Sequence, residues 1–247
     1  MIGAIVSEKH KVSGRVAHML SAIVFTFLVL LAAPRASEAQ KQTDQQTNCS
    51  VPLVAAIENR DVHAVRRLLQ IRADLNNDSC GVTALTESIQ TGQYDVAADL
   101  IRAGADVSVP DIRHVTPLMY AAFSCRADLV SLMLDRKPNV NALNADGETA
   151  LMQAALNCDD GSVVAQLLRA GADVNVRDPQ GDSALTIAAW NGDEFAVKEL
   201  VAAGADLNQK NGEGKTALML SHDRQVGRKP SHDKIYDFLR QLTNGSS

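Results

Sequence analysis

Two short runs, Ser221-His222-Asp223 and Ser231-His232-Asp233, contain the residue types of a nucleophile, a general base and its orienting acid. Three consecutive residues cannot converge as such a triad, whose members reach one another from separate elements. His222, Asp223, His232 and Asp233 together make only a weak metal-ligand set. Gly212-Glu213-Gly214-Lys215-Thr216 imitates the end of a phosphate loop, but Gln209 stands where the first glycine belongs. No Gly-x-Ser-x-Gly, His-Glu-x-x-His or dinucleotide loop occurs. The chain is read as not an enzyme, with no catalytic residues, cofactor or metal.

The elements that carry these residues recur. Asp74, Asp106, Asn139, Asp173 and Asp206 mark one short phrase at spacings of 32, 33, 34 and 33 residues. A second phrase, Thr83-Ala84-Leu85, Thr116-Pro117-Leu118, Thr149-Ala150-Leu151, Ser183-Ala184-Leu185 and Thr216-Ala217-Leu218, keeps spacings of 33, 33, 34 and 33. A fixed period near 33 means stacked supersecondary units rather than one globular core. Lys215-Thr216 is therefore the start of a repeat. Between the phrases lie two apolar stretches of helical spacing, in one unit Leu151, Ala154 and Ala155, then Val163, Val164, Leu167 and Leu168. Thr or Ser before each first helix can accept from an orphan helical N–H. Gly104, Gly171 and Gly204 follow the second helix, where a left-handed cap is needed.

These phrases resemble the ankyrin repeat, which implies an all-α solenoid of helix-turn-helix units with projecting hairpins. Six repeats are expected, at about 50–78, 79–111, 112–144, 145–178, 179–211 and 212–243, the first and last acting as caps, with a tail at 244–247. The family usually has His after its Thr-Pro-Leu, where this chain has Thr86, Met119, Met152, Thr186 and Met219. His114 replaces a hairpin glycine and Lys137-Pro138-Asn139 displaces the small-residue phrase, so the third unit is the least regular. Ser231 is expected to cap the last helix.

A different segment precedes the array. Lys9, Lys11 and Arg15 come before 15 mostly apolar residues, Met19 to Ala33, followed by Ser37-Glu38-Ala39. That order reads as a secretory signal peptide, residues 1–39, cleaved after Ala39. The alternative is an uncleaved anchor. Fifteen residues rising about 1.5 Å each fall short of a ~30 Å hydrocarbon core, which favours cleavage. Residues 40–49 read as a flexible lead-in. The mature chain then holds 20 Lys and Arg against 27 Asp and Glu, a net charge of −7. Such a surface disfavours nucleic acid and anionic lipid. The expected protein is exported, periplasmic or secreted, with no membrane insertion after cleavage, and monomeric.

Cys49, Cys80, Cys125 and Cys158 all survive cleavage. Cys125 and Cys158 each stand nine residues after their repeat's Thr, where Gly92 and Gly192 stand in regular units. Equivalent Cα atoms in adjacent units should be about 10 Å apart, and a disulfide needs roughly 4.4–6.8 Å, so this turn must bend. The extra residue around Asp159-Asp160-Gly161 makes room for that. Cys49 and Cys80 precede consecutive first helices. An oxidising compartment therefore favours Cys49–Cys80 and Cys125–Cys158, each worth ~3.5–4 kcal/mol by chain entropy. A reducing one leaves four packed thiols.

The family resemblance implies ligands on the hairpin tips and the inner-helix, concave face. The variable position there reads Gln90, Phe123, Leu156 and Trp190, the last three forming a line with Tyr120, Gln153 and Ile187 one turn earlier. Ile187 is assigned to the core. A polar border falls on Arg113, His114, Asp146, Arg177 and Asp178, with Asn144, Glu148, Gln180, Asp182, Lys210 and Glu213 beside them. An aromatic strip with a polar rim has the composition of a protein-binding hot spot. Three functions fit: an exported interaction module for another protein, an envelope protein sequestering a small molecule or metal, and a secreted effector acting on a host protein.

Overall fold

The computed structural model describes residues 52–71, 73–76, 81–223 and 230–244. The leader, the lead-in, and Cys49 and Cys80 lie outside them. Twelve α-helices and no strand occur among the described residues, in six antiparallel pairs. The pairs are α1 Pro52–Glu58 with α2 Val62–Gln70, α3 Ala84–Gln90 with α4 Tyr94–Ala103, and α5 Pro117–Phe123 with α6 Ala127–Leu134. They continue as α7 Ala150–Asn157 with α8 Ser162–Arg169, α9 Ala184–Asn191 with α10 Glu194–Ala202, and α11 Ala217–His222 with α12 Pro230–Asn244.

The recurring hydroxyl starts each first helix. Thr83, Thr116, Thr149, Ser183 and Thr216 each accept from the backbone N–H three residues on. The residue at the usual histidine position now completes two of these caps. Ser183 N–H donates to Thr186 Oγ1 at 2.8 Å, and Thr116 N–H donates to Met119 Sδ at 3.4 Å. Each arrangement is a reciprocal capping box.

The first helices of the fourth and fifth units bury nearly everything they carry. Residues 184–189 of α9 are all buried, as are 150–155 of α7. Second helices bury one stripe, such as Val163, Val164 and Leu167 in α8 or Ala196, Val197 and Leu200 in α10. Leu168 only packs against the rim of this core. Between hairpins, Asp106 N–H donates to Asn76 Oδ1, Asp173 N–H to Asn141 Oδ1 and Asp206 N–H to Asn175 Oδ1, at 2.8, 2.8 and 2.9 Å. Ser108 occupies the corresponding place in the second unit.

Ser231 corrects the expectation for the last helix. It lies inside α12, which begins at Pro230, and its hydroxyl donates to Gly192 O at 2.6 Å. Proline is suited to a first helical turn because its missing N–H would be an orphan there.

Backbone strain concentrates in the third unit. Among the described residues, four that are not glycine have positive φ: Arg60 at 55°, His114 at 59°, Cys125 at 54° and Lys137 at 54°. His114 stands where other hairpins have Gly147 and Gly181, and Lys137 where other units have Gly104 and Gly171. A side chain in the left-handed region costs about 1–2 kcal/mol. Lys137 is exposed, so its removal forfeits little packing. Lys137→Gly should therefore stabilise the array by about 1 kcal/mol, part of the relief being lost to unfolded-state entropy. A urea midpoint that stays put or falls would contradict this account.

Candidate functional site

The end of each first helix positions the residue after its Ala-Ala pair. Phe123 closes α5, while Leu156 and Trp190 are the penultimate residues of α7 and α9. All three are partly exposed. Their backbone is held from the following unit: Asn157 Nδ2 donates to Phe123 O at 3.0 Å, and Asn191 Nδ2 to Leu156 O at 2.6 Å. His232 Nε2 lies 3.1 Å from Trp190 O, with the ring 2% exposed. A strip built on helices and pinned this way is preorganised, so little conformational freedom remains to be lost on binding.

One turn earlier the three residues diverge. Ile187 is buried at 5% exposure, as assigned. Tyr120 is half-buried, and its hydroxyl donates to Asp111 Oδ2 at 2.7 Å while accepting from Arg113 Nη2 at 3.5 Å. Burial, then the bond to the Asp111 carboxylate, pushes the phenol up to about 12. Gln153 corrects the surface assignment: it is 7% exposed and donates to Glu148 Oε2 at 2.7 Å, which also accepts from Asn144 Nδ2.

The hairpins divide similarly. Arg113, His114 and Asp146 are exposed. Arg177 is exposed but tied down, donating through Nη2 to Lys210 O at 2.8 Å and through Nε to Gly181 O at 3.2 Å. Asp178 is a second correction. It is 5% exposed and builds the hairpin itself, accepting from Asp182 N–H at 2.9 Å. Asp111, Asn144 and Asn211 play the same part in their own hairpins, each accepting two backbone N–H groups through Oδ1. The recurrence of Asp or Asn at this place is the signal that could have revealed the role.

The structure brings Cys125 Sγ and Cys158 Sγ together, with Cα atoms 5.3 Å apart. The two residues are not equivalent, which is why the 10 Å spacing does not apply. Cys125 sits in a left-handed turn at φ 54°, whereas α7 runs one residue longer and Cys158 caps it in extended backbone. Gly161 then starts α8 at φ 65°, absorbing the extra residue.

The C-terminal His and Asp residues do not converge. His222 packs its ring on Tyr236 at 4.7 Å between centroids, Asp223 meets Lys215 Nζ at 2.6 Å, and His232 turns inward to Trp190. Among the described residues, no group of three or more His, Cys, Asp or Glu is placed to hold a metal. Nor is any helix among them long and apolar enough to cross a membrane.

Known proteins share this organisation. A family model described as Ankyrin repeats (3 copies) matches residues 22–111, 99–178 and 151–239. Palmitoyltransferase ZDHHC13 of Homo sapiens is 30% identical over 178 residues, covering 72% of this chain and 28% of that protein. E3 ubiquitin-protein ligase KEG of Arabidopsis thaliana is 27% identical over 164 residues, 61% of this chain and 10% of the ligase. Neurogenic locus notch homolog protein 1 of Xenopus tropicalis is 39% identical over 121 residues, 47% and 5% of the two chains. The chain thus spans at most 28% of each of these relatives.

The raised Tyr120 phenol has a definite pH signature. Its folded value lies above the unfolded value near 10, so its contribution to stability is complete below about pH 10 and disappears toward pH 12. Ultraviolet titration should resolve one late tyrosine transition that Tyr120→Phe removes. A transition left unchanged in that variant would show that Tyr120 is not its source.

Proposed function

The chain belongs to the ankyrin-repeat family, and from that premise we propose that it is a noncatalytic, exported interaction module that binds another protein through its first-helix face and hairpins. Stacked repeats present extended binding surfaces by their construction. The observation that carries the reading is the row Phe123, Leu156 and Trp190: large apolar side chains left partly exposed on three successive units, on backbone fixed by the next unit. Apolar and aromatic anchors ringed by polar groups supply most of the energy of protein interfaces. The Asp111, Arg113 and Tyr120 cluster provides such a rim beside Phe123. Palmitoyl transfer and ubiquitin ligation belong to the much longer relatives, and neither is proposed here.

Export is the second part of the proposal, with residues 1–39 as a cleaved leader and a periplasmic or secreted mature protein. An oxidising compartment would keep Cys125 joined to Cys158, whose sulfurs are already in contact. N-terminal sequencing of the exported protein should begin near Gln40; a start before Pro34 would mean a retained anchor. Non-reducing peptide maps should contain Cys125–Cys158 and Cys49–Cys80, and four alkylated thiols would overturn the pairing.

The binding face is tested through Trp190, the chain's one tryptophan. Trp190→Ala should cost binding about 2 kcal/mol or more. Because the ring is partly exposed, the variant should lose less stability than the ~3–5 kcal/mol of a buried aromatic. A photo-crosslinker at Phe123 should capture the partner, while one at the exposed Glu199 of α10 should not. Equal capture from both sites, or capture indifferent to Trp190→Ala, would place the interface elsewhere.

A further inference from the structure

The first-helix face continues beyond Phe123 and changes character there. Arg60 N–H donates to Ile57 O, Gly92 N–H to Ile89 O and Cys125 N–H to Ala122 O, so Glu58, Gln90 and Phe123 occupy one position in three successive units. The full row reads Glu58, Gln90, Phe123, Leu156 and Trp190. One turn earlier, Glu87 stands where Tyr120, Gln153 and Ile187 follow. The face is apolar in units three to five and acidic in units one and two.

The two carboxylates feel each other. Glu58 is exposed and Glu87 partly buried. Burial first, and then the charge of Glu58, raise the Glu87 carboxyl above its ordinary value. No cation among the described residues pairs with either. Arg60, their near neighbour in sequence, donates to Thr91 O at 3.2 Å. Other acidic groups along the array do meet cations: Asp128 meets Arg126 at 2.6 Å, and Asp223 and Glu213 meet Lys215 at 2.6 and 3.2 Å. Like charges left together on adjacent helices each disfavour the other's ionisation, and a cation placed between them removes that penalty.

We propose that the partner segment on this face is amphipathic and cationic, with apolar side chains over Phe123, Leu156 and Trp190 and Lys or Arg over Glu58 and Glu87. This rests on the first-helix face being the docking surface. Its polarity is fixed: the cationic end points toward the first unit. Adjacent helices pack about 10 Å apart. The row therefore places the cation ~10–20 Å from the nearest apolar anchor, or about three to six residues of extended chain.

Two labelled synthetic peptides test this, identical in an apolar half and differing only in carrying four Lys or four Glu in the other. Binding to the full chain is followed by the anisotropy of the peptide label. The lysine probe should bind at least tenfold more tightly than the glutamate probe. That preference should shrink below threefold in Glu58→Gln/Glu87→Gln, and Trp190→Ala should weaken both probes. Equal affinity of the two probes, with both lost in Trp190→Ala, would overturn the cationic assignment and leave the face standing. A lysine preference that survives the double substitution would also overturn it, as general attraction to a chain of net charge −5. Binding unaffected by Trp190→Ala, or no binding of either probe, would overturn the face and the assignment together.

Folding of the variants gives an independent check. With a raised folded value, the Glu87 contribution is fully present below about 4.5 and lost as pH rises through that folded value. Glu87→Gln should therefore raise the melting temperature at pH 7 and leave it unchanged at pH 3. A lower melting temperature at pH 7 would mean that a cation already neutralises the pair.

Discussion

A short helix cannot satisfy all of its final C=O groups by itself, and near the ends of four first helices a carbonyl takes a bond from the neighbouring unit. The next unit supplies the donor. Gln93 Nε2 donates to Ile57 O at 2.7 Å, Asn157 to Phe123 O, Asn191 to Leu156 O, and His232 reaches Trp190 O. Each bond spans 34 to 42 residues of sequence but only one step of the stack. A unit is thus completed by its successor twice over, through these polar contacts and through the apolar face it cannot bury alone. The same donors fix the strip, so its geometry is a by-product of stacking.

The third unit is where this scheme is most disturbed. His114, Cys125 and Lys137 all take left-handed backbone there, and Pro138 lacks the N–H that Ala105 donates to Leu100 O. Ser108 breaks the run of bridging asparagines on its N-terminal side. Side chains fill the gap: the Arg126 guanidinium lies 4.1 Å from the Tyr94 ring centroid, and Arg136 donates to Ile101 O at 2.9 Å. On its C-terminal side the contacts are denser, with Ala145 N–H donating to Arg113 O and Cys158 against Cys125. Strained backbone of this kind gathers at functional sites when its surroundings hold it, and here it surrounds Tyr120 and Phe123.

The architecture was legible because it is written as a cadence. Thr83, Thr116, Thr149, Ser183 and Thr216 mark the start of every first helix except the first, and Gly104, Gly171 and Gly204 the end of three second helices. The exposure of Phe123, Leu156 and Trp190 followed from the same register. What stayed hidden were contacts between residues about one period apart. Nothing local distinguishes His232 as a buried pin from a metal ligand, or Asp178 as a hairpin scaffold from a surface charge. Ser231 misled because a serine after proline suits a cap, while its hydroxyl in fact serves a carbonyl 39 positions away. The Cys125 and Cys158 backbones differ because one added residue changes how a helix ends, a shift that counting from the threonine does not register.

The contrast between the two sides of the third unit has a mechanical meaning. A linear stack is held joint by joint, and the kinds of contact differ from one joint of this one to the next. Between the third and fourth units, Asn157 and the paired sulfurs grip the interhelical turn while Asn141 grips the hairpin on the other flank. Between the second and third, the long side chains of Arg126 and Arg136 reach across to Tyr94 and Ile101 O. The crosslinked joint thus lies on the apolar side of the boundary where the face turns from acidic to apolar. A partner spanning both halves therefore crosses from a joint bridged by arginine side chains to one where two sulfurs meet as well.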